Sequence, residues 1–295
     1  MIGRITSSTL TQQSIRTLQA GLAERAKLQE QASSQRAIRA ASDDPAAAAA
    51  ILGVRGEQAR VAQYARNITD ATAWVATADG ALGSSLDLLA RARDLTVQGA
   101  NSGALGPDAR AAIATELDGL GRELMARANT TLLGRTVFAG TNDTGEAFDP
   151  VDFAFRGVPG AAVERRIAAN EKVRVDLDGA RAFGEGATSV FATIQAVAAD
   201  LRSGTDVAPH LARIDAHVRD LSEARAVAGA RQAQIERAAT ANAADAVDLE
   251  ARRARVEDVD TVEVYVALQS AELVYQSALQ VTAKSLQTTL LEFLR

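Results

Sequence analysis

The chain has 295 residues, room for two or three compact units at roughly 100–200 residues each. Apolar residues make up 47 % but aromatics only 4 %, and much of the apolar content is alanine, which favours closely packed long helices over a bulky globular core. The absence of cysteine excludes a disulfide scaffold, a thiolate metal site and a cysteine nucleophile; the net charge of −5 argues against a nucleic-acid partner. The longest apolar run, Ala46–Leu52, is far short of the ~20 residues a membrane span needs, and no apolar stretch follows Arg4 as a cleaved secretory signal would require.

From Met1 to Ala23 the only charged side chains are Arg4 and Arg16. Ile15, Leu18 and Leu22 form an apolar stripe at helical spacing, with Ile5 and Leu10 nearby. Ser42-Asp43-Asp44-Pro45 then reads as a helix start, with Ser42, Asp44 and Pro45 as the helix cap: Pro45 suits the first helical position and Asp44 can cap the free amides. The alanine run that follows predicts a long helix to about Gln98, through Gly53, Gly56, Gly80 and Gly83. After a turn over 99–106, Pro107 and Asp108 open a helix to about Leu133.

Between Val137 and Phe183 the pattern changes. Residues 153–155, 162–167 and 172–178 favour strands, and Val173, Val175 and Leu177 alternate with charged residues at the period of a half-buried strand. Five phenylalanines lie here: Phe138, Phe148, Phe153, Phe155 and Phe183. Helix returns near Ala187, breaks around 204–209 and resumes; from Ala230 to Arg295 there is neither proline nor glycine, which reads as one or two long helices.

The last helix carries two stripes at alternating steps of three and four. One includes Val262, Val266, Leu273 and Leu290, the other Leu279, Leu286 and Phe293. Between Leu273 and Leu291 the only formal charge is Lys284, whereas an ordinary surface helix would carry a charged face. Two paired helices of 35–40 residues would make a rod of roughly 50–60 Å. Such a sparsely charged pair with partly polar seams is expected to be mobile in the monomer and to order on assembly.

The expected architecture is mainly α: an elongated bundle of long antiparallel helices, with a terminal coiled coil and a small inserted β-rich domain. The breaks suggest a terminal coiled-coil assembly domain over 1–42 and 258–295, a helical rod over 43–136 and 186–257, and a β-rich outer domain over 137–185. The candidate assembly interface is Ile5, Leu10, Ile15, Leu18, Leu22, Val262, Val266, Leu273, Leu279, Leu286, Leu290 and Phe293.

No catalytic, cofactor or metal site is expected. His210 and His217, the only histidines, are seven apart without an accompanying carboxylate cluster and read as surface residues. Asp258 and Asp260, with Glu257 and Glu263, read as a solvated charged face, and Trp74 as an apolar anchor. The sequons at Asn67, Asn129 and Asn142 are patterns common by chance. There is no phosphate loop, nucleophile elbow or supported triad.

Four motifs resemble the flagellin superfamily, and within it the hook-associated protein 3 family of hook–filament junction proteins. They are Arg4-Ile-Thr-Ser-Ser8, Ser42-Asp-Asp-Pro45, Asn129-Thr-Thr131 followed by Gly134-Arg-Thr-Val-Phe-Ala-Gly140, and the tail Leu268–Leu279 ending in Leu290-Leu-Glu-Phe-Leu294. The resemblance covers the helical ends and not the β insert. It implies terminal helices that pair into a tubular assembly, export through the flagellar type III channel without a cleaved signal, and an extracellular location. It also implies a cytoplasmic export chaperone for the C-terminal helix, and a ring of protomers between hook-associated protein 1 and flagellin. Flagellin itself is the nearest alternative, a non-flagellar coiled-coil scaffold the next, and an enzyme a distant third.

Overall fold

The computed structural model describes residues 7–38, 40–101, 106–142, 145–158 and 161–293, and, within its terminal helices, side chains between 12 and 284. The elements in chain order are α1 (Ser7–Ser34), α2 (Pro45–Ala100), α3 (Pro107–Ala128), β1 (Thr131–Leu132), β2 (Arg135–Thr136), β3 (Glu164–Ala168), β4 (Glu171–Arg174), α4 (Gly179–Phe183), α5 (Val190–Ser203), α6 (His210–Glu257) and α7 (Thr261–Phe293). The long helices begin where proline and an acceptor side chain permit. The Asp44 carboxylate accepts from the Ala46 and Ala47 amides at 2.9 and 3.0 Å, with Pro45 at the first position of α2. Asp43 serves the preceding turn instead, accepting from the Ala40 amide at 3.0 Å, and Ser42 lies exposed in that turn.

The residues cluster into two compact units, one of the terminal stretches through Ala59 and from Ala246, the other Arg60–Asp245. The boundaries expected at 42 and 258 fall in the connections just before α2 and just after α6, and buried residues of 137–185 share one core cluster with α2 and α6.

In the larger unit α2 and α6 run antiparallel, tied by Arg93–Asp215 at 2.7 Å and Arg225–Asp79 at 3.1 Å. Their buried faces keep heptad spacing: Ala71, Trp74, Ala78, Leu82, Ser85, Leu89, Ala92 and Thr96 on α2, and His210, Ile214, His217, Leu221, Ala228 and Ile235 on α6. Small residues in this seam let the axes approach. Helix α3 packs on α5, and Arg91–Glu116 at 2.7 Å joins α2 to α3.

The expected helix to Leu133 ends earlier, at Ala128, because Asn129 turns the chain. A tight hairpin follows, with Thr131 opposite Thr136 and Leu132 opposite Arg135. The second hairpin, β3–β4, has a register irregularity between Arg166 and Ala168 and rests on α2 and α6 through Asn67 Nδ2 to Arg166 O (2.7 Å) and Gln234 Nε2 to Glu171 Oε1 (2.8 Å). The expected strand at 153–155 is a single antiparallel bridge, Phe148 with Phe155. Val173, Val175 and Leu177 are buried, but so is the intervening Asp176: it accepts from the Val163 amide at 2.7 Å and pairs with Arg174 at 2.8 Å. Phe138, Phe148, Phe153, Phe155, Phe183 and Phe191 form one aromatic cluster with successive ring centroids 5.2–5.9 Å apart. Trp74 is buried as an anchor, with the Arg135 guanidinium 5.9 Å from its ring centre.

Candidate functional site

The terminal unit is built on α1 and α7, which run antiparallel. Gly21 faces Tyr275, Arg25 lies 3.5 Å from Glu272, and Gln13 and Thr17 flank a groove with Ala278 and Thr282. The half-buried positions define the seam. On α1 they include Ser14, Leu18, Gly21, Arg25, Leu28 and Ala32; on α7 they include Leu268, Ala271, Tyr275, Ala278 and Thr282, with Val264 fully buried. Both sets step by four and three, so the seam is a heptad coiled coil. Most of its members are small or polar. A Cβ on Gly21 would sit 3.5 Å from Tyr275 Cδ2, in ordinary van der Waals contact, so the two positions meet across the seam.

Leu18, Leu28, Leu268 and Tyr275 are the seam's bulkier members, and many other bulky apolar side chains point away from it. Ile15 and Leu22 on α1, and Val262, Tyr265, Val266, Leu273, Val274, Leu279 and Val281 on α7, are exposed, Val262 and Leu273 each to 71 %. Leu52 and Val247 of the same unit are exposed as well, while its buried aliphatics are Ile51, Leu249 and Val264. A monomer that folds for its own stability would put Leu273 in the seam and Ala271 outside it; this helix does the reverse, leaving large apolar side chains exposed among glutamines and serines.

The sequence-derived interface residues therefore divide. Ile15, Leu22, Val262, Val266, Leu273 and Leu279 share the exposed surface, whereas Leu18 belongs to the seam between α1 and α7. Ile5 and the side chains of Leu10, Leu286, Leu290 and Phe293 lie outside the described residues. Tyr265, which lies on the second stripe, is exposed too, and so are Val274 and Val281, which lie on neither stripe; the face that the partner helix takes depends on α1.

At the base of the pair the α1–α2 and α6–α7 connections lie side by side. The Ala37 amide donates to Glu257 O at 2.8 Å and the Val259 amide to Gln35 O at 3.3 Å. Between them the Glu257 carboxylate, 2 % exposed, is held by Arg55 at 2.7 Å, Arg253 at 3.2 Å and Arg36 at 3.3 Å. Burial pushes this carboxyl up, but the hydrogen bond from Arg253 and the charges of Arg55 and Arg36 outweigh it, and the net shift is downward. Of the expected solvated face Asp258, Asp260 and Glu263 are exposed, but Glu257 sits in a buried ionic knot, because three arginines converge from α2, α6 and the α1–α2 connection.

The two histidines are buried rather than on the surface. His210 Nε2 donates to Asp200 Oδ2 at 2.6 Å, and its Nδ1 accepts from Arg213 at 2.8 Å. Thr193 Oγ1 donates to Ser189 O, so it can only accept from His217 Nε2, at 3.1 Å. Among the described residues there is no cluster of three or more His, Cys, Asp or Glu that could hold a metal, and no helix long and apolar enough to cross a membrane.

The bacterial flagellin N-terminal helical region matches residues 5–143, and the bacterial flagellin C-terminal helical region matches residues 211–294. The chain belongs to the flagellin family. Both matches bracket the β segment and include the two helices that form the seam. Among relatives, flagellar hook-associated protein 3 of Salmonella typhimurium is 33 % identical over 155 residues, covering 52 % of this chain and 49 % of that one. The flagellin-family chain thus spans about half the length of the hook-associated relatives it matches. A flagellin of Halalkalibacterium halodurans is 26 % identical over 262 residues, 88 % of each chain. A solved structure of a putative flagellar hook-associated protein from Vibrio parahaemolyticus superposes with a TM-score of 0.68 at 21 % identity, covering 73 % of this chain and all of that one. At that identity it establishes the shared fold.

Proposed function

We propose that this flagellin-family chain is a structural subunit at the hook–filament junction, joining hook-associated protein 1 on one side to flagellin on the other in a ring of like protomers. The observation that carries the reading is the exposed apolar side of the terminal pair: its own seam is only half-buried and is interrupted by Ser14, Gly21, Ala271, Ala278 and Thr282, while Val262, Val266 and Leu273 face outward. Helices built this way are completed by neighbours. The relationship to hook-associated protein 3 favours the junction over the filament, at higher identity though over a shorter span than the relationship to flagellin. The work of such a subunit is mechanical rather than catalytic, and its location is extracellular, reached through flagellar export without a cleaved signal. A cytoplasmic chaperone that covers the open face of α7 would keep the subunit from associating before export.

The test is deletion of the gene, followed by electron microscopy and assay of the medium. Intact hooks without filaments, with flagellin released into the medium, are expected. Normal filaments would refute the junction role. The specific second reading is flagellin itself, supported by the match over 88 % of both chains; it predicts loss of the filament without release of another flagellin.

A further inference from the structure

The turn between β1 and β2 is Leu133-Gly134, with φ of +52° and +81°. A two-residue hairpin of this hand calls for asparagine or glycine at its first position; a bulky residue there is strained. Leu133 is also 89 % exposed, so its side chain gives the monomer no packing in return. Asparagine would relieve both costs.

The same unit carries an open apolar groove of about 390 Å³ between α3 and α5, walled by Leu117, Met125, Pro150, Phe153, Phe191 and Ile194. Its wall residue Phe153 is itself in the left-handed region, φ +60°, fixed by its amide to Asp149 O at 3.1 Å and by the Gly186 amide to its carbonyl at 2.9 Å. Among the described residues of this unit, the two non-glycine positions at positive φ are thus the exposed tip and a wall of the groove. Strain at two places, one presenting an apolar knob and the other shaping an apolar socket, marks a paired recognition feature.

We propose that Leu133 of one copy of this chain seats in the Phe153–Phe191 groove of a neighbouring copy. Knob and socket on one chain are satisfied together when each copy gives and receives, which requires no other partner chemistry. The contact deepens the proposed ring of protomers and rests on that reading, but uses the larger unit rather than the terminal helices.

The chain has no cysteine, so introduced pairs report without background. Leu133→Cys would be co-expressed with a copy carrying Gln195→Cys or Arg122→Cys, both exposed beside the groove, and flagella from motile cells oxidised and run without reductant. A product of twice the chain mass, present with the pairs and absent with Leu133→Cys, Gln195→Cys or Arg122→Cys alone, is expected. Motile cells giving no product at either rim position would overturn the contact while leaving the flagellar role intact. A second measurement guards against misfolding. Leu133→Asn is expected to melt at the same or a higher temperature than the parent, while its cells shed filaments and swim several-fold less far. A melting temperature lowered by several degrees would show that Leu133 serves the monomer's fold, and would sink the proposal.

Discussion

Asn129 shows how much one side chain can hold. Its Oδ1 accepts from the Ala147 and Phe148 amides, both at 2.8 Å, and its Nδ2 donates to Phe148 O at 3.0 Å, so it clamps a buried segment eighteen residues on. Removing it strands two buried amides; Asn129→Ala is expected to cost about 2–4 kcal/mol in denaturant unfolding, and Asn129→Asp less, since the acceptor remains. His217 makes a pH-dependent contribution. Burial lowers its pKa, with Asp220 opposing and Arg213 reinforcing the shift, and its buried Nδ1 has no hydrogen-bond partner to receive a proton's N–H. The unfolded chain then binds more protons than the folded one below the ordinary histidine range. The stability is fully present above about pH 6.5 and is lost as pH falls, by up to about 1.4 kcal/mol per unit until the buried ring itself protonates. Thermal melts at pH 7 and pH 5 are expected to differ less in His217→Gln than in the parent; an equal difference would refute the assignment. The sequence contained the clue to both histidines. Their separation of seven, with Ile214 and Leu221 between and beyond, is heptad spacing, and it puts them in the α2–α6 seam rather than on the surface.

The long helices were readable from breaker positions and caps, because helix starts depend on local chemistry such as Asp44 and Pro45. The hairpin at Leu133-Gly134 was not, since a leucine at its first position contradicts the usual turn signal. The burial of Asp176 was equally hidden: it depends on Arg174 and the Val163 amide, which only the folded hairpin brings together. In the terminal pair, periodicity gave the stripes on α7 but could not say which stripe α1 would take. The seam it does take mixes Ser14, Gly21, Ala271, Ala278 and Thr282 with Leu18, Leu28, Leu268 and Tyr275, all of them only half-buried. Amides of α1 and α7 in the isolated protein are therefore expected to exchange with opening free energies under roughly 4 kcal/mol, far below those of α2 and α6 around Leu82 and Leu221. Uniform protection across all four helices would favour a free-standing coiled coil instead.

At the scale of the whole molecule, stability and assembly are placed in different residues. The larger unit holds the aromatic cluster and most of the buried aliphatics, and the terminal pair holds the outward apolar face. Val266→Glu and Leu273→Glu should leave the unfolding free energy of the isolated chain within about 0.5 kcal/mol of the parent, as exposed substitutions do, yet abolish filament attachment in cells. The proposed junction role and the flagellin alternative differ in where along the flagellum the subunit would sit. Immunogold labelling of intact flagella with an antibody to this chain tests that most directly. The account predicts gold at a single position on each flagellum, where the hook meets the filament; label along the length of the filament would contradict it.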